Sequence, residues 1–321
     1  MTPRPVTLQI SLSPSDFRHA CLLLEHQTRT WRPQVAEILI CVDFHRSKGR
    51  FSANWSEGRE KILQLANSIE GARVETVDYG ADAMSKVAAE FFDGREVPAK
   101  DFRGGPYYSY FFGLERARHP CVLHADSDIL FGGGSRTWLG EALAHMGAHT
   151  DELFSAPLPG PPTQDGTLLS QSAERDPDEP YAFKFRTMST RIFLMDRARF
   201  KEAIGCLCAR RPPSLRNAFK ALVERNPVQD LPEHLFTDAM AKRGLFRREF
   251  LGSGSGMWTL HPPYRSSDFY SKLPELIRRV EAGDVPAGQR GDHDLNSSMV
   301  DWSEAIAQIA DNRWWRRLFR G

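Results

Sequence analysis

Hydrophobic residues recur along this chain with two alternating periods. Segments at residues 6–12, 38–42, 73–77, 121–125 and 191–195 predict strands, and the apolar run 121–125 reads as buried on both faces. Helical spacing separates them. Ser15 or Asp16 caps a helix with Phe17, Ala20, Cys21 and Leu24 on one face. A second helix covers residues 57–68. A third follows Gly104-Gly105-Pro106, where Tyr107, Tyr110, Phe111 and Leu114 recur as far as His119-Pro120 and read as core. Leu231-Pro232-Glu233 opens another, with Phe236, Ala239 and Met240 inward and Gly244 as its stop. Residues 157–180 hold six prolines and predict a long irregular loop. A last helix near 302–310 would anchor through Ile306 and Ile309. Strand-helix-strand alternation of this kind predicts an α/β fold with parallel pairing and right-handed crossovers.

The chain contains three Asp-x-Asp pairs. Asp176/Asp178 and Asp292/Asp294 fall in polar segments flanked by Pro or Gly and read as solvated loop residues. Only Asp126/Asp128 ends an apolar strand, in Cys121-Val122-Leu123-His124-Ala125-Asp126-Ser127-Asp128. Ligands bind beyond the carboxyl ends of strands in open α/β sheets. Two hard carboxylates there can hold a divalent cation, which in turn can grip a diphosphate.

Composition narrows the class. With 42 Lys+Arg against 41 Asp+Glu, no net charge draws the chain to nucleic acid. The start, Met1-Thr2-Pro3-Arg4-Pro5-Val6, has no apolar segment behind a basic end, so no signal peptide is expected. No apolar run is long enough to span a bilayer. Cys41 and Cys121 lie inside apolar strands, and Cys206-Leu207-Cys208 has no partner pair for zinc. These features predict a cytoplasmic protein.

The order of these parts resembles a GT-A glycosyltransferase, closest in layout to the family 2 group, from about Val6 to His261. The resemblance implies a nucleotide-sandwich fold: a mostly parallel central sheet flanked by helices over residues 5–265, with a helical C-terminal extension over 266–321. It implies transfer of a sugar from a nucleotide diphosphate sugar to an acceptor hydroxyl, inverting rather than retaining. Asp43 matches the residue contacting base or ribose, and Asp126 and Asp128 match the metal-binding pair. His261 matches a third metal ligand, which favours Mn²⁺ over Mg²⁺. The resemblance also sets the base at the opening of the helix ending in Arg243-Gly244. The usual Glu-Asp pair there is Glu233-His234 in this chain, so Glu233 is the first choice and Asp238 the second.

Donor contacts are expected from Gly254, in Gly252-Ser253-Gly254-Ser255-Gly256, and from Arg103, Arg265 and Arg290. The acceptor is not encoded in any readable motif. Two alternatives stay open. One is a nucleotidyltransferase of the same fold, although Ser11-Leu12-Ser13-Pro14-Ser15 lacks the expected Gly-rich loop. The other is a sugar-nucleotide binding module without turnover. Residues 312–320 interleave four Arg with Trp314, Trp315, Leu318 and Phe319, a composition suited to a peripheral membrane contact.

Overall fold

The computed structural model describes residues 4–46 and 54–311. The chain begins with β1 (Val6–Leu12), α1 (Phe17–Trp31) and β2 (Glu37–Val42), then α2 (Trp55–Gly58), α3 (Ile62–Ser68) and β3 (Ala72–Thr76). Next come α4 (Ala81–Phe91), α5 (Tyr108–Arg116), β4 (Cys121–Asp126), β5 (Leu130–Gly132), α6 (Trp138–Ala148) and β6 (Glu152–Pro159). The middle holds β7 (Glu174–Arg175), β8 (Ala182–Phe185), β9 (Ile192–Asp196), α7 (Arg197–Ala203), α8 (Leu215–Glu224) and α9 (Pro232–Arg243). The last elements are β10 (Phe246–Phe250), β11 (Trp258–Leu260), α10 (Ser267–Glu281) and α11 (Ser303–Asp311).

The sheet order is β3-β2-β1-β4-β9-β6-β10-β8-β7, with β11 joining β6 and β5. Strands β3, β2, β1 and β4 pair in parallel, as do β6 and β10, while β9 runs antiparallel between β4 and β6. This is the expected α/β arrangement, a largely parallel sheet covered by helices on both faces. β2 and β6 are buried along their whole length, which explains the apolar run Ile38 to Val42 in β2. One core packs Leu8, Ile10, Ile40 and Leu123 against Trp31 and Trp138. The other packs Phe111, Phe154, Phe193 and Phe236 beneath α5 and α9. Residues after 266 build a third cluster, in which Phe269, Leu273 and Trp302 cover Leu130, Leu158 and Trp258.

Several expectations need correction. The helix predicted over 57–68 is broken into α2 and α3, and α4 carried no cap signal strong enough to be foreseen. β6 runs through Pro159 and β7 follows, so the predicted 157–180 loop is partly strand. Its prolines sit near the strand end, where a missing N–H costs little. Cys21 faces solvent, the buried stripe of α1 being Ala20, Leu23, Leu24 and Trp31. Ile306 and Ile309 are exposed, and Trp302 and Ala305 do the anchoring instead. No described helix is long and apolar enough to cross a membrane. The 312–320 segment lies outside the described residues.

Candidate active site

The turn after β4 is built to hold two carboxylates at the sheet edge. Fully buried Gln27 of α1 donates from Nε2 to Asp126 O (2.9 Å) and Ile129 O (2.8 Å), clamping the turn from beneath. Asp126 N–H donates to Arg191 O (2.7 Å), fixing the same turn to the approach of β9. His19 Nε2 meets Ser127 Oγ at 3.1 Å, and the His19 ring lies 3.7 Å from Asp16. Backbone and side-chain bonds thus fix the turn that carries the two Asp side chains.

Asp126 accepts a 2.7 Å hydrogen bond from the Tyr110 hydroxyl at Oδ1. That hydroxyl also lies 3.3 Å from Thr190 O, and Thr190 Oγ1 donates to Glu233 Oε1 at 3.1 Å. Glu233, in the first turn of α9, is therefore joined to the Asp-x-Asp end through two hydroxyl residues. Burial, then the Asp126 carboxylate, raises the Tyr110 phenol far above its ordinary pKa, so it stays a donor.

Asp128 is buried, and its Oδ1 has no hydrogen-bond partner among the described residues. Its Oδ2 pairs with Arg265 and lies 3.6 Å from His261 Nε2. Burial alone would raise this carboxyl. Arg265, His261, His19 and Arg191 outweigh burial and hold Asp128 well below the usual carboxylate range. The other side of the His261 ring, Nδ1, faces Asp294 Oδ1 at 3.0 Å, and Arg191 Nη1 donates to the same oxygen at 3.0 Å. Arg191, Asp294, His261, Asp128 and Arg265 form one continuous row of charged and titratable groups.

The fit to a cation can be judged from these donors. A buried ionised carboxylate with an unpartnered oxygen, facing an imidazole nitrogen, suits a divalent ion of the Mn²⁺ or Mg²⁺ type. A buried anion without compensation is costly. Here the Arg265 guanidinium supplies the compensating charge on Oδ2. Among the described residues no three His, Cys, Asp or Glu side chains already stand together as a metal group. The donors fit, on the condition that Arg265 yields its place.

The other expected residues are distributed differently. Asp43 ends β2, where its Oδ2 accepts from Lys100 (2.7 Å) and its Oδ1 from Tyr79 (3.1 Å), a buried ion pair separated from β4 by β1. Asp238 pairs with Arg210 and takes no part in the hydroxyl link that holds Glu233. Arg103 lies 3.8 Å from Asp101, and Arg290 donates to Pro162 O. The Gly-rich loop packs on the start of α6 rather than beside Asp128: Ser253 bonds Glu141, and Ser135 N–H donates to Gly256 O (2.9 Å). Gly254 precedes β11 while His261 follows it, so they sit at opposite ends of that strand. Gln27, Tyr110, Thr190, Arg191 and Asp294 were not foreseen. Only Asp294 carried any local signal, its membership in an Asp-x-Asp pair.

No family model and no curated protein matches the chain. Solved structures that it resembles include TarS 1-349 of S. aureus in complex with UDP-GlcNAc, at 11% identity over 88% of this chain and 68% of that one, with a TM-score of 0.42. Another is glucosyl-3-phosphoglycerate synthase from Mycobacterium tuberculosis with Mn²⁺, UDP and phosphoglyceric acid, at 10% identity, 86% and 76% coverage, and a TM-score of 0.38. A third is mannose-1-phosphate geranyltransferase from Thermus thermophilus, at 15% identity, 78% and 74% coverage, and a TM-score of 0.36. Likeness this loose transfers no activity, and the chemistry below rests on the chain's own residues.

Proposed function

We propose that the protein is a metal-dependent glycosyltransferase moving a sugar from a nucleotide diphosphate sugar to an acceptor hydroxyl. One observation carries this reading: buried Asp128 keeps Oδ1 partnerless while its Oδ2 lies 3.6 Å from His261 Nε2 at the sheet edge, and Glu233 is joined to the same turn through Thr190 and Tyr110. Asp126, Asp128 and His261 would hold the cation. A cation held there would stabilise the charge that develops on a departing diphosphate.

The protein's own groups do the rest. Glu233 accepts the acceptor hydroxyl's proton as that oxygen bonds the anomeric carbon. The carbon–oxygen bond to the diphosphate breaks, and its electron pair leaves with the diphosphate. Thr190 holds the Glu233 carboxylate by its Oε1, leaving Oε2 to take the proton. Arg265 keeps a permanent positive charge beside the leaving group's site. Attack from the side opposite the departing diphosphate inverts the anomeric centre.

A panel of nucleotide diphosphate sugars with Mn²⁺ tests the reading. Release of nucleoside diphosphate that stops with chelator supports it. Pyrophosphate release would instead mark a nucleotidyltransferase, and binding without turnover a sugar-nucleotide module.

A further inference from the structure

Asp294 belongs to a pair that reads as solvated loop in the sequence, yet the fold brings it to the sheet edge. The segment carrying it forms a short parallel bridge with the chain just after β11. His261 N–H donates to His293 O (3.0 Å), and Leu295 N–H donates to His261 O (2.9 Å). Fully buried Gln289 braces the segment from within. Its Nε2 donates to Asp292 O (3.1 Å) and Asp294 O (2.9 Å), and its Oε1 accepts from Asn296 N–H (3.0 Å). Gly160 lets the segment approach β6. At φ +99°, a Cβ there would fall 2.5 Å from Asp292 O, too close for any other residue. A loop held by this many backbone contacts is a fixed support.

The support aims one carboxylate at one ring nitrogen. An ionised carboxylate only accepts, so His261 Nδ1, 3.0 Å from Asp294 Oδ1, carries the ring proton. Nε2, 3.6 Å from Asp128 Oδ2, is then the nitrogen that would offer its lone pair to a cation held there. Arg191 Nη1, 3.0 Å from the same Asp294 oxygen, prevents that carboxylate from turning away. Imidazoles that ligate metals are commonly fixed by a carboxylate on their other nitrogen, which sets the tautomer and raises basicity.

We infer that Asp294 is a positioning residue for the cation site: it orients His261, and Arg191 orients it in turn. The inference rests on the cation reading of Asp128 and His261 above. It also gives the segment carrying Asp294 a part in the site.

The test titrates Mn²⁺ alone into the full-length protein, following loss of the free-ion electron paramagnetic resonance signal. Asp294→Ala is expected to weaken Mn²⁺ binding about 10- to 100-fold. Asp294→Asn, which keeps an acceptor oxygen but not the charge, should recover part of that loss. In a His261→Ala background the Asp294→Ala change should add nothing, because its only route of action is gone. Melting temperatures of the variants separate these effects from failure to fold. Wild-type affinity in Asp294→Ala, or an additive loss in the His261→Ala background, would overturn this inference alone. Wild-type protein that bound no Mn²⁺ would overturn the cation reading, and this inference with it.

Discussion

Asp126/Asp128 and Asp292/Asp294 are the same three-residue motif in opposite settings, and the contrast shows where sequence reading stops. The first pair ends an apolar strand, so its position at the sheet edge follows from burial of that strand. The second lies among Gly, Asn and Ser residues with no periodicity around it. Its Asp294 nonetheless reaches the same edge, through a bridge to His261 that spans 33 residues. The two pairs also meet different partners. Asp128 is buried against Arg265 and His261, whereas Asp292 accepts from exposed Ser170 (2.8 Å) and from Asn296 (3.2 Å). A motif is thus a site when the fold gives its carboxylates something to hold, whatever the local sequence.

The largest expected effect lies at the strand end. Asp128→Ala should cost turnover about 10³-fold with saturating Mn²⁺ while the protein stays folded. Normal activity in that variant would erase the distinction between the two pairs. Glu233→Gln comes next, lowering the maximal rate about 10²-fold with donor affinity little changed. A larger effect from Asp238→Asn would move the base to the carboxylate that pairs with Arg210.

Titration sharpens the contrast further, because the Asp128 end crowds several groups together. Burial lowers His19 to about 3 from its ordinary 6.5, so the folded chain binds fewer protons than the unfolded one in that range. Stability from His19 is therefore lost as pH falls from about 6.5 toward 3. Burial raises nearby Asp16 to about 6 from 3.8, outweighing its bonds to Ser13, so its destabilising charge is relieved as pH falls from about 6 to 4. The two trends oppose each other between pH 6 and 4. Asp16→Asn removes one of them, so its melting temperature should drop more steeply across that window than the wild type's, by on the order of 1–2 kcal/mol in stability. Parallel melting curves for the two proteins would contradict this.

The smallest effect is expected at the loop pair's other member. Asp292→Ala should leave Mn²⁺ affinity within about twofold, since its carboxylate bonds Ser170 and Asn296 rather than the His261 ring, and exposed contacts of that kind contribute little. A loss as large as that from Asp294→Ala would mean that the whole segment, not one carboxylate, supports the site.

Much of the fold was readable because period and burial are local. The strands ending at Val42 and Asp126, the helix from Pro232 and its stop at Gly244 (φ +69°) all followed from spacing, proline and glycine. What escaped was long-range. Tyr110 reads as core by its helical spacing and is indeed buried, but its hydroxyl tip reaches Asp126. Gln27 looks like any polar helix residue until the turn it clamps is brought over it. Thr190 and Asp294 sit in irregular segments, and Arg191, predicted inside a strand, lies just before β9, where no period says which way a side chain points. The Gly-rich segment's composition suggests a phosphate cradle, and its Ser253 is tied to the Glu141 carboxylate of α6, a pairing no local pattern announces.

The most direct test is crystallographic. Crystals soaked with Mn²⁺ and a nucleoside diphosphate would show the ion by its anomalous scattering. The account predicts one site, about 2.0–2.6 Å from Asp128 and His261 Nε2, with Arg265 withdrawn from Asp128 and Asp294 still bonded to His261 Nδ1. An ion bound away from Asp128, or a diphosphate bound with Arg265 still paired to Asp128 and no ion present, would contradict it.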